Sequence, residues 1–518
     1  MTSPKYPLYE PLSAQDASFV FFEHRATHMH VAALALFEVG PLRSATGGVD
    51  AARLARYGES QLGKLPRYRQ KLAFAPLSGR PVWVDDPHFD LDYHLRHTAL
   101  PPPGSEEDLK RLVGLVLSQP LDRDRPLWEM WLVEGLERDR FALLIKVHHC
   151  MMDGVAGASL LTTLFRTEPD ASIQEAAAWL PRETPSPLRL MLDEAIDRAS
   201  TPLALARAAA GALRAPGRTL RRAGERVTWV SEALRTGLHL PSATALERPI
   251  GPHRRVEWRV LEFAEIKALG HQLGGKVNDV VLTIVTGAMR RFLERRGEPL
   301  EKIDYRVVVP VNMRSPSAEP GVANRDSAFF LSLPISESDP RARFEGVRTE
   351  TARLKRSHAA DGIDFLGQLV DRTGSTWLTG LFATIALRVQ PYNQIVSNVP
   401  GPQYPLYVLG ARLIELYPMP PLFERQGLGT AVMSYDGRLC WCILADRDVV
   451  PDLGALGHDV DAAFHELRGA AARPSQPAPV PARKRPSRGR EEVGAKRPST
   501  RGKPKQRGSE GGGSGRTR

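Results

Sequence analysis

The chain has 518 residues, more than one core supports, so two to four domains are expected. Its 42% hydrophobic and 25% charged residues match a soluble globular protein, and three cysteines without a CxxC spacing exclude a disulfide framework or a cysteine zinc module. The net charge of +11 suggests a nucleic-acid binder until it is located: from Arg473 onward there are 14 basic and 3 acidic residues, which leaves 56 of each in the rest.

The N-terminus Met1-Thr2-Ser3-Pro4-Lys5 leads into no apolar segment, so no secretory signal is expected. Met29–Glu38 and Phe141–His149 read as buried strands, and Glu107–Leu117 and Val155–Phe165 carry helical apolar spacing. Residues 1–180 thus form a first lobe. A proline-rich break, Pro181–Pro187, opens a helical linker over 181–250, in which Arg207, Arg214, Arg218, Arg221, Arg222 and Arg226 alternate with leucines. Such basic amphipathic helices suit either a membrane surface or packing across the two halves with a solvated basic face.

Alternation resumes in a second lobe, 251–472. Val277–Leu293 has apolar residues at 277, 281, 285, 289 and 293 and at 280, 284, 288 and 292, two adjacent rows that predict a helix buried along one broad side. Asn278 or Asp279 is expected as its N-cap. Tyr305–Val311, Ala328–Pro334, Tyr392–Val399 and Arg438–Leu444 read as strands, the last bringing Cys440 and Cys442 to one packed face. The longest apolar runs, Val280–Val285 among them, fall far short of the roughly 20 residues a membrane span needs, so an intracellular soluble protein is expected. The tail, 473–518, has no Leu, Ile, Met or aromatic residue. It cannot offset its ordering entropy and is expected to be disordered, a polycation open to anionic lipid or nucleic acid or simply a solubilising segment.

The stretch that carries chemistry is His148-His149-Cys150-Met151-Met152-Asp153-Gly154, at the junction of a strand and a small-residue helix. Adjacent histidines at a strand end point to opposite faces, so one can enter a channel while the other faces packing; parity does not say which. A buried neutral imidazole suits proton abstraction from a hydroxyl near pH 7, and Asp153 can cap the helix or pair with an arginine. On these residues alone, satisfied core histidines or an opportunistic metal site explain the pair as well. There is no GxSxG elbow, Walker A loop, GxGxxG or HExxH.

HHxxxDG in this context resembles the acyl-CoA-dependent acyltransferase superfamily. Leu12-Ser13…Asp16, Met29-His30-Val31, Pro126-Leu127-Trp128-Glu129, Asn278-Asp279-Val280-Val281, Val309-Pro310-Val311-Asn312-Met313-Arg314 and Ser397-Asn398-Val399-Pro400-Gly401-Pro402 narrow it to bacterial wax ester synthase/acyl-CoA:diacylglycerol acyltransferases, over about residues 8–470. The resemblance implies an α/β (α+β) fold of two chloramphenicol-acetyltransferase-like lobes around a central substrate channel. It implies transfer of a long-chain acyl group from acyl-CoA, a substrate rather than a cofactor, to diacylglycerol or, alternatively, to a fatty alcohol. No cofactor and no metal are implied.

By motif position His149 is the general base, His148 supports its loop and Asp153 is a structural orienter. Gly154, Pro126, Leu127, Trp128, Asn278, Asp279 and Asn398 are expected as fold or channel supports, with Asn278 and Asn398 the candidates for an oxyanion donor. Cys150 invites an acyl-cysteine reading, but the resembled family leaves that position variable, and a small packed residue is expected. A cytoplasmic enzyme in peripheral contact with anionic membrane or lipid inclusions follows from the resemblance and the tail. A non-catalytic lipid-coat or nucleic-acid-tethering protein acting through the tail is the competing class.

Overall fold

In the computed structural model, residues 8–45, 47–151, 160–176, 178–196, 231, 239–312, 326–357, 380 and 390–473 are described. The tail expected to be disordered, the arginine-bearing linker beyond 196, and Asp153 and Gly154 lie outside these residues.

Among the described residues fifteen strands build three sheets: β1 Glu10–Pro11, β2 His30–Glu38, β3 Gln70–Phe74, β4 Pro81–Asp85, β5 Leu95–Ala99, β6 Trp128–Leu136, β7 Arg140–His148, β8 Arg254–Glu262, β9 Tyr305–Asn312, β10 Asp326–Leu333, β11 Gln394–Pro400, β12 Tyr407–Val408, β13 Ala411–Met419, β14 Leu428–Tyr435 and β15 Arg438–Asp446. Two six-stranded sheets dominate, ordered β12-β13-β2-β7-β6-β5 and β10-β9-β11-β14-β15-β8, with a small third sheet β1-β4-β3. Both large sheets are mixed, since β5 runs parallel to β6, and β11 runs parallel to both β9 and β14. The expected strands are present within one or two residues of their predicted ends.

The two sheets do not divide the chain at one point. β13, far along the second half, pairs antiparallel with β2 of the first, from Leu413↔Phe37 to Met419↔Ala32. One core continues through both halves. It takes Leu34, Leu36, Ala142 and Leu144 from the first sheet together with Trp258, Phe292, Val432 and Trp441.

The helix Glu106–Leu117 makes much of that junction. Gly114 faces β8 so closely that a Cβ there would lie 2.8 Å from the Arg254 carbonyl oxygen, so only glycine allows this approach. Beyond its end, Ser118 Oγ accepts the Arg254 backbone N–H at 2.8 Å, and Lys110 Nζ meets Glu257 Oε1 at 2.7 Å.

The long helix Val277–Arg295 buries both predicted apolar rows. Its N-cap is Lys276 rather than Asn278 or Asp279. Asp279 occupies the third helical position and reaches back to accept the Lys276 backbone N–H at 2.8 Å. The expectation failed by two to three residues because an acidic side chain satisfies the first turn from inside the helix as well as from its edge. Of the helix expected over Val155–Phe165, residues 160–164 are helical and 155–159 lie outside the described residues.

Candidate functional site

β7 is the centre of its sheet, paired on one side with β2 and on the other with β6, and His148 is its last residue. Both neighbours hold the point where the strand stops. The His148 N–H donates to the Leu127 carbonyl at 2.9 Å, and the His149 N–H to the Met29 carbonyl at 2.7 Å. The Pro-Leu-Trp block and the Met-His block therefore grip the backbone of the histidine pair from opposite sides. Pro126, Leu127 and Trp128 are all buried; the Trp128 indole donates to the Tyr68 carbonyl at 2.8 Å and stacks on His94 at 4.6 Å.

Past His148 the chain turns into a 3-10 segment, His149–Met151, and the two imidazoles separate into unlike surroundings. His148 enters a buried polar cluster. Its Nδ1 accepts the Cys150 N–H at 3.1 Å, which leaves the proton on Nε2, facing Glu23 Oε2 at 3.7 Å. Cross-strand from it, His30 Nε2 lies 3.4 Å from Glu23 Oε1, and two residues down β7 the fully buried Lys146 donates to the Val116 and Gln119 carbonyls at 3.1 Å each. Burial pushes the Glu23 carboxyl up, but the neighbouring His148 and His30 outweigh it and hold the group well below the usual carboxylate range. Desolvation drives His30 down to about 3, with Glu23 opposing it, and also lowers Lys146.

His149 instead meets an aromatic face. Its ring stacks on Phe19 of α1 (Ala14–Phe22), centroids 4.0 Å apart and planes 25° from parallel. The helix is fixed at its start by Ser13, whose Oγ accepts the Asp16 N–H at 3.1 Å. Desolvation lowers His149 to about 4; its own backbone carbonyl raises it in part, and His148 adds to the lowering. Its Nδ1 is buried with no hydrogen bond to another described residue. The imidazole is neutral at pH 7 and half-buried, the state a general base requires.

From Phe19 a row of rings leads into the second half: Phe22 at 6.1 Å, Phe423 at 6.1 Å, Tyr392 at 6.5 Å and Phe330 at 6.0 Å. Phe19, Phe423, Tyr392 and Phe330 each keep part of their surface open while packed. The two asparagines of the second half meet: Asn398 Nδ2 donates to Asn278 Oδ1 at 3.3 Å. Asp279 is absorbed in the cap described above.

Cys150 is buried, its thiol pushed well above its ordinary range by desolvation and by the nearby Asp16 and Glu23 charges, which is the opposite of an activated nucleophile. Cys440 and Cys442 are fully buried in β15. No group of three or more His, Cys, Asp or Glu among the described residues is arranged to hold a metal ion.

The spacing of the motif brought His148, His149 and their loop into view. Phe19, Glu23 and Arg123 were missed, because they carry no local pattern and lie more than 20 residues away from the pair in sequence. The blocks Leu12-Ser13…Asp16, which opens the helix that carries Phe19, and Met29-His30-Val31 were the available pointers to that side.

Comparisons with known proteins agree on the family. The model for the wax ester synthase/diacylglycerol acyltransferase catalytic domain matches residues 12–281, and that for the WS/DGAT C-terminal domain matches 322–468. A putative diacylglycerol O-acyltransferase of Mycobacterium tuberculosis is 34% identical over 473 residues, covering 90% of this chain and 91% of the relative. A second, a probable diacylglycerol O-acyltransferase of the same species, is 31% identical over 471 residues, covering 88% and 95%. The solved wax ester synthase/diacylglycerol acyltransferase of Marinobacter aquaeolei VT8 superposes with a TM-score of 0.63 at 26% identity, over 89% of this chain and 99% of that one. A condensation domain of the calcium-dependent antibiotic synthetase shares the fold at a TM-score of 0.53 and 17% identity, with 90% and 98% covered.

Proposed function

Because the chain belongs to the wax ester synthase/diacylglycerol acyltransferase family and is an acyl-CoA-dependent acyltransferase, we propose that it esterifies the free hydroxyl of a diacylglycerol by direct transfer, with His149 as the base. The observation that carries this reading is the pairing of a neutral, half-open imidazole with the row of partly open rings that begins at Phe19. The imidazole meets the hydroxyl; the rings suit a long hydrocarbon chain. His149 Nε2 takes the hydroxyl proton as the oxygen attacks the thioester carbonyl, the C–S bond breaks, and the imidazolium returns the proton to the departing CoA thiolate. A base lowered to about 4 pulls weakly on a proton in the free enzyme, but the oxyanion forming beside it stabilises the imidazolium at the moment of transfer.

In this reading His148 supports the turn that presents His149, and Asp153 and Gly154 orient the loop beyond it. Pro126, Leu127 and Trp128 brace the strand end. Asn278 and Asn398, joined to one another, are the candidates for stabilising the oxyanion, and Asp279 holds the helix that carries Asn278. As written, the reaction needs no cofactor beyond its two substrates.

A fatty alcohol fits the same apolar row, so wax ester synthesis is the alternative within this chemistry; the non-catalytic class is set aside by membership of an enzyme family. Purified protein given labelled palmitoyl-CoA with diacylglycerol, hexadecanol or no acceptor decides between them. Labelled triacylglycerol is the expected main product. A wax ester as the main product would move the assignment to the alternative, and free fatty acid alone would overturn both.

For location, no described helix is long and apolar enough to cross a membrane. The neutral body with a +11 tail supports a cytoplasmic enzyme whose tail meets an anionic lipid surface, with nucleic acid as the competing polyanion.

A further inference from the structure

The geometry points to Glu23 as a positioning residue that aims His149 from two sides at once. This rests on the reading of His149 as the base, and it goes beyond it by assigning a role to a carboxylate outside the motif.

Glu23 is the C-cap residue of α1, with its side chain only 8% exposed. Arg123 clamps one carboxylate oxygen with two donors, Nε at 2.8 Å and Nη2 at 2.6 Å, both to Oε2. The same Nη2 donates to the Val20 carbonyl at 3.0 Å, satisfying an otherwise open acceptor in the last turn of α1. Arg123 stands three residues before Pro126, so the clamp ties the end of α1 to the segment whose Leu127 carbonyl receives the His148 N–H.

Two routes lead from this clamp to His149. In the first, Glu23 faces His148 Nε2, which fixes the imidazole with Nδ1 free to accept the Cys150 N–H. That bond closes the turn in which His149 sits. In the second, Glu23 seats α1, and α1 carries Phe19 onto the His149 ring. Loss of the carboxylate loosens both the turn and the ring stacked on it. Near-attack geometry tolerates little movement: a displacement of about 1 Å costs on the order of 10²-fold in rate.

Glu23 does not itself serve as the base, because Arg123 holds its carboxylate with two donors. The charged and titratable groups around it are Arg123, His30 and His148, with Lys146 two residues beyond His148.

The test is a double-mutant cycle on the full chain with kcat, KM and melting temperature read for wild type, Glu23→Gln, His149→Ala and the double variant. The expected result is a loss of about 10²-fold in kcat per folded molecule for Glu23→Gln with KM nearly unchanged and melting lowered, and little further loss when it is added to His149→Ala. A Glu23→Gln enzyme within a few-fold of wild type, beside an inactive His149→Ala, would overturn the inference and leave the base in place. So would a Glu23→Gln loss that multiplies in full in the His149→Ala background, since Glu23 would then act elsewhere. Near-wild-type turnover by His149→Ala would instead overturn the base and the inference together. Should Glu23→Gln fail to fold, Arg123→Gln keeps the carboxylate but releases the clamp from a half-exposed position. It is expected to lose roughly 10-fold in kcat with the same coupling to His149, and full activity there would overturn the inference.

Discussion

The two large sheets have the same number of strands and differ in what their central strands bury. In the first, β2 and β7 bury His30, Lys146 and His148 in register, with Glu129 across from Lys146 on β6. In the second, β14 and β15 are buried on both faces almost throughout around Val432, Cys440, Trp441, Cys442 and Ile443, while the sheet's buried ionisable groups are Arg254 and Glu257 of the edge strand β8, Arg306 of β9 and Asp446 at the end of β15. Ionisable groups in a core are costly: removing one partner of a buried pair costs about 3–5 kcal/mol, and replacing both with apolar groups is often neutral or better. A sheet that keeps four such groups gains no stability from them that leucine would not supply. Their use is in holding a strand end in one position. In the proposed mechanism the first sheet presents the base, and the second is the framework it is built against.

Substitution of one residue just past the end of the first sheet and one within the second breaks this comparison most directly. His149→Ala should lower turnover 10²–10⁴-fold, about 3–5.5 kcal/mol of barrier, with melting close to wild type; His149→Gln should be as poor, since an amide takes no proton near pH 7. Turnover within a few-fold of wild type would sink the assignment and make His148 the next candidate. Trp441→Ala should do the reverse. Removing a fully buried indole costs about 3–5 kcal/mol of stability, read as a lower denaturation midpoint, while turnover per folded molecule holds. If Trp441→Ala instead melts like wild type and loses activity, the division of labour between the sheets is wrong.

Acid sharpens the same contrast. His149 and His30 have folded values of about 4 and 3, below the ordinary imidazole value near 6.5, so the unfolded chain binds the extra protons. Their stability contribution is fully present above about pH 6.5 and is lost as pH falls through the folded values. Melting temperature should therefore fall from about pH 6.5 toward 4, and less steeply for His149→Gln. Equal slopes in the two proteins would show that His149 is not the buried neutral group described. The smallest effect is expected outside both sheets. Truncation after Arg473 should change turnover on a soluble acceptor by no more than a few-fold, while binding to anionic vesicles loses its salt-sensitive part. Loss of turnover would show that the tail belongs to the active fold.

The sequence alone located the histidine pair, the strand before it and the broad buried face of Val277–Leu293, because each is written in neighbouring residues with a period of 2 or 3.6. It also located the family, because short blocks in a fixed order survive where overall identity does not. It placed a helix start two to three residues late at Lys276, where the capping side chain comes from inside the helix. It could not say which histidine enters the buried polar cluster and which stacks on Phe19, since strand parity ends at His148 and the next residue already belongs to a turn. Nor could it join β13 to β2, Phe19 to His149, or Glu23 to Arg123 and His148: these partners lie from about 100 to nearly 400 residues apart, and no local pattern marks them. Those pairings exist because two sheets, packed through one continuous core, bring distant side chains within a few ångströms, and the burial that results is what lowers His149 and keeps its imidazole neutral.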